Sequence, residues 1–192
     1  MFRFLKKNIF LDKLWLDLQL LHDLNKTSKF DFRLLDDAGL LISKNFDNEF
    51  ISEIKKNTDE ILNEGELATK TSSKIVEDND DMYWLILSDS ESYDLLSSCY
   101  TLVNALHANE SLRSVIGLVL KFLPSTHQKN ADGIYLIYRM DLKSFYPFSP
   151  TSNSLGAQNK EKEISFSKLL NNNKFQIERD RKNWLGIWGI PF

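Results

Sequence analysis

Residues 133–140, Gly-Ile-Tyr-Leu-Ile-Tyr-Arg-Met, run almost unbroken through apolar side chains, and no other stretch limits the fold as tightly. A short run rich in β-branched and aromatic residues reads as a strand buried on both faces. The break Asp141-Leu142-Lys143-Ser144 has the length of a hairpin turn. Phe145-Tyr146-Pro147-Phe148-Ser149-Pro150 then reads as the returning strand. Pro147 and Pro150 are expected to stop it, because proline has no N–H for a ladder. A second aromatic group comes later, at Trp184-Leu185-Gly186-Ile187-Trp188-Gly189-Ile190-Pro191-Phe192. The expectation is that the hairpin and this tryptophan segment build one corner of the core, with Gly186 and Gly189 leaving room for backbone beside the Trp188 indole.

A chain of 192 residues with 42% hydrophobic content has enough apolar surface to bury a full core as a single domain over 1–192. Its net charge of −3 argues against a broad nucleic-acid face, so no nucleic-acid partner is expected. No run approaches the ~18 apolar residues of a membrane span. Met1 to Lys7 has the look of a secretory n-region, but Asp12, Lys13 and Asp17 leave no uncharged apolar run after it, so export is not expected. The lone Cys99 has no partner for an internal disulfide, which suits a reducing cytoplasm.

Charge is unevenly placed. Asp47, Glu49, Glu53, Asp59, Glu60, Glu64 and Glu66 outweigh Lys55 and Lys56, and the stretch from Glu77 to Asp94 carries acids and no base. Arg3, Lys6 and Lys7 near one end, and Lys174, Arg179, Arg181 and Lys182 near the other, are basic. Such runs are ordinarily solvated faces; the sharper reading is separate docking patches.

Ile9 to Leu24 places Leu11, Leu14, Trp15, Leu18 and Leu21 at helical spacing. Asp36-Asp37-Ala38-Gly39 carries turn chemistry, leaving Leu40 to Ser43 as a strand. Asp47 or Asn48 caps an expected helix to about Asn63, with Gly65 as its stop. Thr69 to Glu77 alternates in the strand manner and Met82 to Leu87 returns, a hairpin with an acidic loop. A helix from Ser90 to His107 is expected to carry Tyr93, Leu96, Tyr100, Val103, Leu106 and His107 on one face. Ser114 to Leu123 is a strand. Pro150 to Lys160 is a polar surface connector. A short helix from Glu161 to Asn171 points Ile164, Leu169 and Leu170 inward. These elements give an α+β fold class, a mostly antiparallel sheet with packed helices.

Catalytic chemistry has little to stand on. His107 and Glu110 are too few for a metal site, and His22 and His127 are isolated. Cys99 sits mid-helix and reads as a packed small side chain. Asp78, Asp80 and Asp81 lack the glycine and distal glutamate of a calcium loop. There is no glycine-rich phosphate loop, so no cofactor, metal or catalytic residue is expected. Two binding surfaces are expected instead. Phe2, Arg3, Phe4, Lys6 and Lys7, in a lead of residues 1–10, form a short basic amphipathic stretch suited to an anionic membrane surface, set against the commoner role of such a stretch as a frayed lead-in to the first helix. Tyr146, Phe148, Trp184 and Trp188 suit a partner groove, set against the commoner role of such rings as core.

The stretches Ile134-Tyr135-Leu136-Ile137-Tyr138, Phe145-Tyr146-Pro147-Phe148-Ser149-Pro150 and Trp184 to Pro191 resemble the PspA-associated proteins of the AB type, a small family of archaea and bacteria that accompanies phage-shock protein A. The order of elements resembles that family over most of the chain. Two links depart from its pattern, Asp141-Leu142-Lys143 in the hairpin turn and Ala108 to Leu112 after the middle helix. The resemblance implies a setting rather than a reaction: the cell-envelope stress response, a PspA-like membrane-remodelling protein as partner, and a membrane metalloprotease encoded nearby. The expected function is a non-enzymatic binding or regulatory protein, cytoplasmic or peripheral at the inner membrane face, whose acidic segments dock a basic partner helix. The alternatives are a small dimeric client-binding chaperone and, further off, an enzyme whose site one sequence does not reveal.

Overall fold

The computed structural model describes residues 9–27, 30–44, 49–64, 68–78, 81–125, 133–151 and 156–192. Among the described residues six antiparallel strands form one sheet, and its two faces are covered in different ways. The strands are β1 (Phe32–Ser43), β2 (Ser72–Glu77), β3 (Met82–Ser88), β4 (Val115–Pro124), β5 (Ile134–Arg139) and β6 (Ser144–Phe148), in the spatial order β2-β3-β1-β4-β5-β6. The helices are α1 (Ile9–Asn25), α2 (Glu49–Ser52), α3 (Ile54–Asn63), α4 (Ser92–Ala108) and α5 (Lys160–Asn172). The expected α+β class with an antiparallel sheet is the one observed.

The period-two alternation of a strand sorts its side chains between the faces. Leu40, Leu85, Leu118, Leu120, Leu136, Tyr138 and Phe145 point to the helices, while Leu41, Trp84, Ile86, Val119, Ile137, Tyr146 and Phe148 point the other way into a second apolar layer. Both sets are buried, which is why the strands read as continuous apolar runs. On the helix face, α1 and α4 pack antiparallel through Leu14, Leu18 and Leu21 against Leu95, Cys99, Leu102 and Leu106. Each such leucine removed from water contributes about 1.5–3 kcal/mol.

Several expectations change with this topology. Asp36-Asp37-Ala38-Gly39 makes no turn; it lies inside β1, where the register against β4 steps from Leu34↔Phe122 to Ala38↔Leu120. Three residues of β1 thus face one of β4, and the bulge absorbs the turn-like composition while pairing continues on either side. Pro147 does not end β6 but sits within it opposite Leu136, tolerated because β6 is an edge strand. The helix expected up to Asn63 is broken at Glu53 into α2 and α3; its expected caps, Asp47, Asn48 and Gly65, lie outside the described residues.

The face expected to be shared on α4 is buried at Leu96, Val103 and Leu106 and open at Tyr93. Leu95, Leu96, Ser98, Cys99, Leu102, Val103 and Leu106 are buried, whereas Tyr93 is 48% exposed. Tyr93, Tyr100 and His107 line the seam with α1, edge-on or tilted against Trp15 and Phe10. In α5, Phe166 and Leu170 are buried, and Ile164 and Leu169 only partly so. The described ends of the expected connector are tied together by a Pro150↔Gln158 bridge and by the Asn159 N–H bonded to the Ser149 carbonyl at 2.7 Å.

Candidate functional site

The second apolar layer is closed by residues 184–192, a segment with no regular secondary structure. Such a segment has backbone carbonyls without ladder partners, and they need donors. Sheet side chains supply them. Arg139 Nη1 donates to the Asn183 carbonyl at 2.7 Å, and the Tyr146 hydroxyl donates to that of Leu185 at 3.0 Å. The Phe192 backbone oxygen accepts from Lys121 Nζ at 2.8 Å and from the Tyr135 hydroxyl at 3.1 Å. Ring contacts complete the closure. Trp184 stacks on Tyr146 with centroids 6.2 Å apart and planes at 22°, and Trp188 meets Phe148 edge-on at 5.4 Å. The two indole N–H groups donate to the Glu178 and Ala157 carbonyls.

The hairpin and the tryptophan segment therefore form one packed layer. Within it the four residues expected to line a partner groove divide. Tyr146 and Phe148 are buried under the segment and present no surface while it is in place; Trp184 and Trp188 are half-buried, with one side toward solvent. Gly186 is the glycine that makes room for an indole: a Cβ there would lie 2.1 Å from Trp188. Gly189 serves conformation instead, with φ +75° and open space around it. The basic amphipathic stretch of Phe2, Arg3, Phe4, Lys6 and Lys7 lies outside the described residues.

A concavity lies elsewhere. A groove of about 670 Å³ runs between α3 and β2, lined by Ile54, Ile75, Glu53, Asp59, Glu60 and Glu64 among others. Ser73 and Ile75 share the face of β2 that looks at α3, and the Ser73 hydroxyl donates to Asp59 at 2.6 Å. Ile75 remains 39% exposed, unusual for an isoleucine in a strand. The two lysines of the groove are committed: Lys55 pairs with Asp59, and Lys56 pairs with Glu53 at 3.3 Å. Burial works to raise the Asp59 carboxyl, but the hydrogen bonds from Lys55 and Ser73 outweigh it and hold the group below its ordinary value. Glu60 and Glu64 have no ion-pair partner among the described residues. The groove is thus apolar at its floor and negative at its rim.

This groove opens beside a sheet edge. β2 is the outermost strand on its side and, among the described residues, pairs only with β3. The opposite edge is guarded: β6 carries Pro147, is bridged at Phe145 to Ile177, and its Phe145 carbonyl accepts the Glu178 N–H at 2.7 Å. The acidic composition of 47–66 was visible in the sequence; the placement of Ile75 and the free edge was not. The polar alternation of Ser72 to Glu77 was the one local sign of an uncovered strand.

The remaining chemistry-bearing residues have structural surroundings. Cys99 is fully buried, and that burial pushes its thiol up to about 12. His107 packs edge-on against Phe10 at 5.3 Å. His22 Nδ1 lies 3.0 Å from the Ser92 hydroxyl. Asp78 accepts the Trp84 indole N–H at 3.2 Å. Among the described residues, no helix is long and apolar enough to cross a membrane.

The family model described as PspA associated protein B matches residues 22–192, which include the whole sheet, the groove and the tryptophan segment. The chain belongs to the PspA associated protein B family. The resemblance carried by the Phe-Tyr-Pro-Phe and Trp-Gly-Ile-Pro stretches is thus a family relation, and the family's name associates it with PspA. No curated protein and no solved structure matches the chain. For this PspA associated protein B family member, the matched region begins inside α1 and spans both the groove and the aromatic layer.

Proposed function

We propose that the protein is a non-enzymatic binding protein of the phage-shock-type envelope stress response, working in the cytoplasm, and that its α3–β2 groove receives a basic segment of a PspA-like protein. The observation that carries this is the free β2 edge running beside a groove with an exposed isoleucine and two glutamates outside any ion pair among the described residues. A free edge offers backbone N–H and C=O groups that an extended chain satisfies by adding a strand. That geometry favours an extended segment over the helix expected from charge alone. The segment would place an apolar side chain beside Ile75 and basic side chains, at period-two spacing, toward Glu60 and Glu64. Opposite charge steers the encounter and fixes the register, and the backbone ladder supplies affinity.

The test is a pull-down with a PspA homologue at low and high salt, with a membrane metalloprotease domain as a second bait. Retention of PspA at low salt, weakened at high salt and lost in Glu60→Lys/Glu64→Lys and in Ile75→Asp, is the expected result. No retention under either salt condition rejects the reading. A dimer held together through β2 would occupy the same edge, would also reject it, and would favour the dimeric chaperone.

A further inference from the structure

A second cavity, of about 300 Å³, lies at the far side of the sheet, where the start of α5 meets residues 181–184. Its walls are Gln158, Lys160, Glu163, Arg181, Lys182 and Trp184. Half of these are cations, brought together from separate segments of the chain by the packing of α5 and the tryptophan segment on β6. None of Lys160, Arg181 and Lys182 has a carboxylate within ion-pair distance among the described residues. The sole acid of the cavity is already engaged. Glu163 is 1% exposed, and its Oε1 accepts the Ser149 N–H at 3.0 Å. Burial pushes that carboxyl above its ordinary value, against the pull of the Ser149 N–H, Arg181 and Lys160, which weakens it as a counterion for the cavity.

Arg181 is also held in place. Its guanidinium lies 5.3 Å from the centre of the Trp184 ring, and Trp184 is itself fixed by its stack on Tyr146 and by its N–H on the Glu178 carbonyl. A guanidinium resting on an indole loses less freedom when it binds, and its planar fork of N–H groups matches the oxygens of a phosphate. Lys160 and Lys182 add charge without geometric demand.

We propose that the Lys160–Arg181–Lys182 cavity is a binding site for a phosphate group, separate from the acidic groove and independent of it. Two sources share this chemistry, a soluble phosphorylated compound and the headgroup of an anionic lipid. The half-buried Trp184 and the 46% exposed Leu185 beside it are compatible with either.

The experiment is a titration of the full chain with inorganic phosphate at constant ionic strength, following the Trp184 indole N–H and the backbone amides by NMR. A saturable shift confined to residues 158–163 and 181–184 is expected. Arg181→Gln/Lys182→Gln changes two exposed side chains, so the fold is kept, and an unmoved Trp188 indole signal checks this. In that variant the affinity is expected to fall roughly tenfold or more, because each hydrogen bond to a charged group is individually strong. Glu163→Gln removes the cavity's one carboxylate and is expected to tighten binding. Shifts spread evenly over surface lysines, or left intact by Arg181→Gln/Lys182→Gln, overturn the proposal. The source is then read with vesicles of phosphatidylcholine with and without phosphatidylglycerol. Co-sedimentation that needs phosphatidylglycerol and Arg181/Lys182 assigns the site to lipid; phosphate binding without co-sedimentation assigns it to a soluble compound.

Discussion

The ring of Phe192 rests on the bare backbone of Gly39: a Cβ built on Gly39 would lie 2.6 Å from Phe192 Cε1 and 3.0 Å from Trp84 Cε3. Gly39 is in the middle of β1 with extended pairing on both sides, so its role is space rather than conformation. The contact anchors the far end of residues 184–192, which the Lys121 and Tyr135 donors also hold at the Phe192 oxygen.

Gly39→Ala is therefore expected to displace the Phe192 ring and to destabilise the protein by about 1–3 kcal/mol, the usual range for overpacking a filled site. Phe192→Ala should remove most of that penalty, because the tightest contact is then gone and only the one with Trp84 Cε3 at 3.0 Å remains. A double-mutant cycle by urea unfolding measures this coupling; additive effects of the two changes would show that the ring moves aside freely.

A second prediction concerns Tyr146, which contributes a stacked ring and a hydroxyl to the same closure. Tyr146→Phe keeps the ring and deletes the bond to the Leu185 carbonyl, so a loss of about 1 kcal/mol is expected. Tyr146→Ala opens a cavity under Trp184, with a loss of about 3–5 kcal/mol. Denaturant unfolding gives both values. Amide exchange along 184–190 should rise in the alanine variant before global unfolding does, since the segment is held by few contacts of its own.

The same layer shows which parts of this fold a sequence discloses. The β5–β6 hairpin and its contact with Trp184 and Trp188 were legible because dense apolar and ring-bearing runs have only one place to go, a face buried on both sides. The stretch Asp36 to Gly39 misled, because a bulge and a turn ask for the same residues; only the continuous partners β3 and β4 decide between them. The face of α4 was read in part, because Tyr93, Tyr100 and His107 were grouped with the leucines by spacing, whereas rings with polar tips can line a half-exposed seam against Trp15 and Phe10. Of the two concavities, only the acidic composition of 47–66 and the polar character of Ser72 to Glu77 were legible. Each depends on strand order and on residues distant in the chain meeting at one place, which no local pattern specifies.

Cys99 offers a third check. Full burial and a thiol raised to about 12 leave almost no thiolate at neutral pH. A thiol reagent is expected to leave the native protein unlabelled and to react at the rate of unfolding once denaturant is added. Rapid labelling of the native state, without loss of structure, would mean that α4 opens locally around Leu95 to Leu102 and that the core described for it is wrong.

The last prediction comes from Glu163. Burial is the largest influence on its carboxyl and raises it above the ordinary value of 4.5. A raised folded-state pKa means that the charged form is favoured less in the folded chain than in the unfolded one. Ionised Glu163 thus costs stability at pH above its folded pKa, and the cost disappears below 4.5, where both states are protonated. Glu163→Gln stays uncharged throughout and keeps an oxygen to accept the Ser149 N–H. The variant should melt at a higher temperature than the wild type at neutral pH, and the gap should close as the pH is lowered toward 4.5. Comparing the two proteins at each pH cancels the opposite behaviour of Asp59, Asp141 and Glu178, whose carboxyls are held below their ordinary values. A gap of the reverse sign at neutral pH would mean that Lys160 and Arg181 stabilise the Glu163 carboxylate more than burial penalises it, so that these cations are paired within the chain rather than open to an outside phosphate.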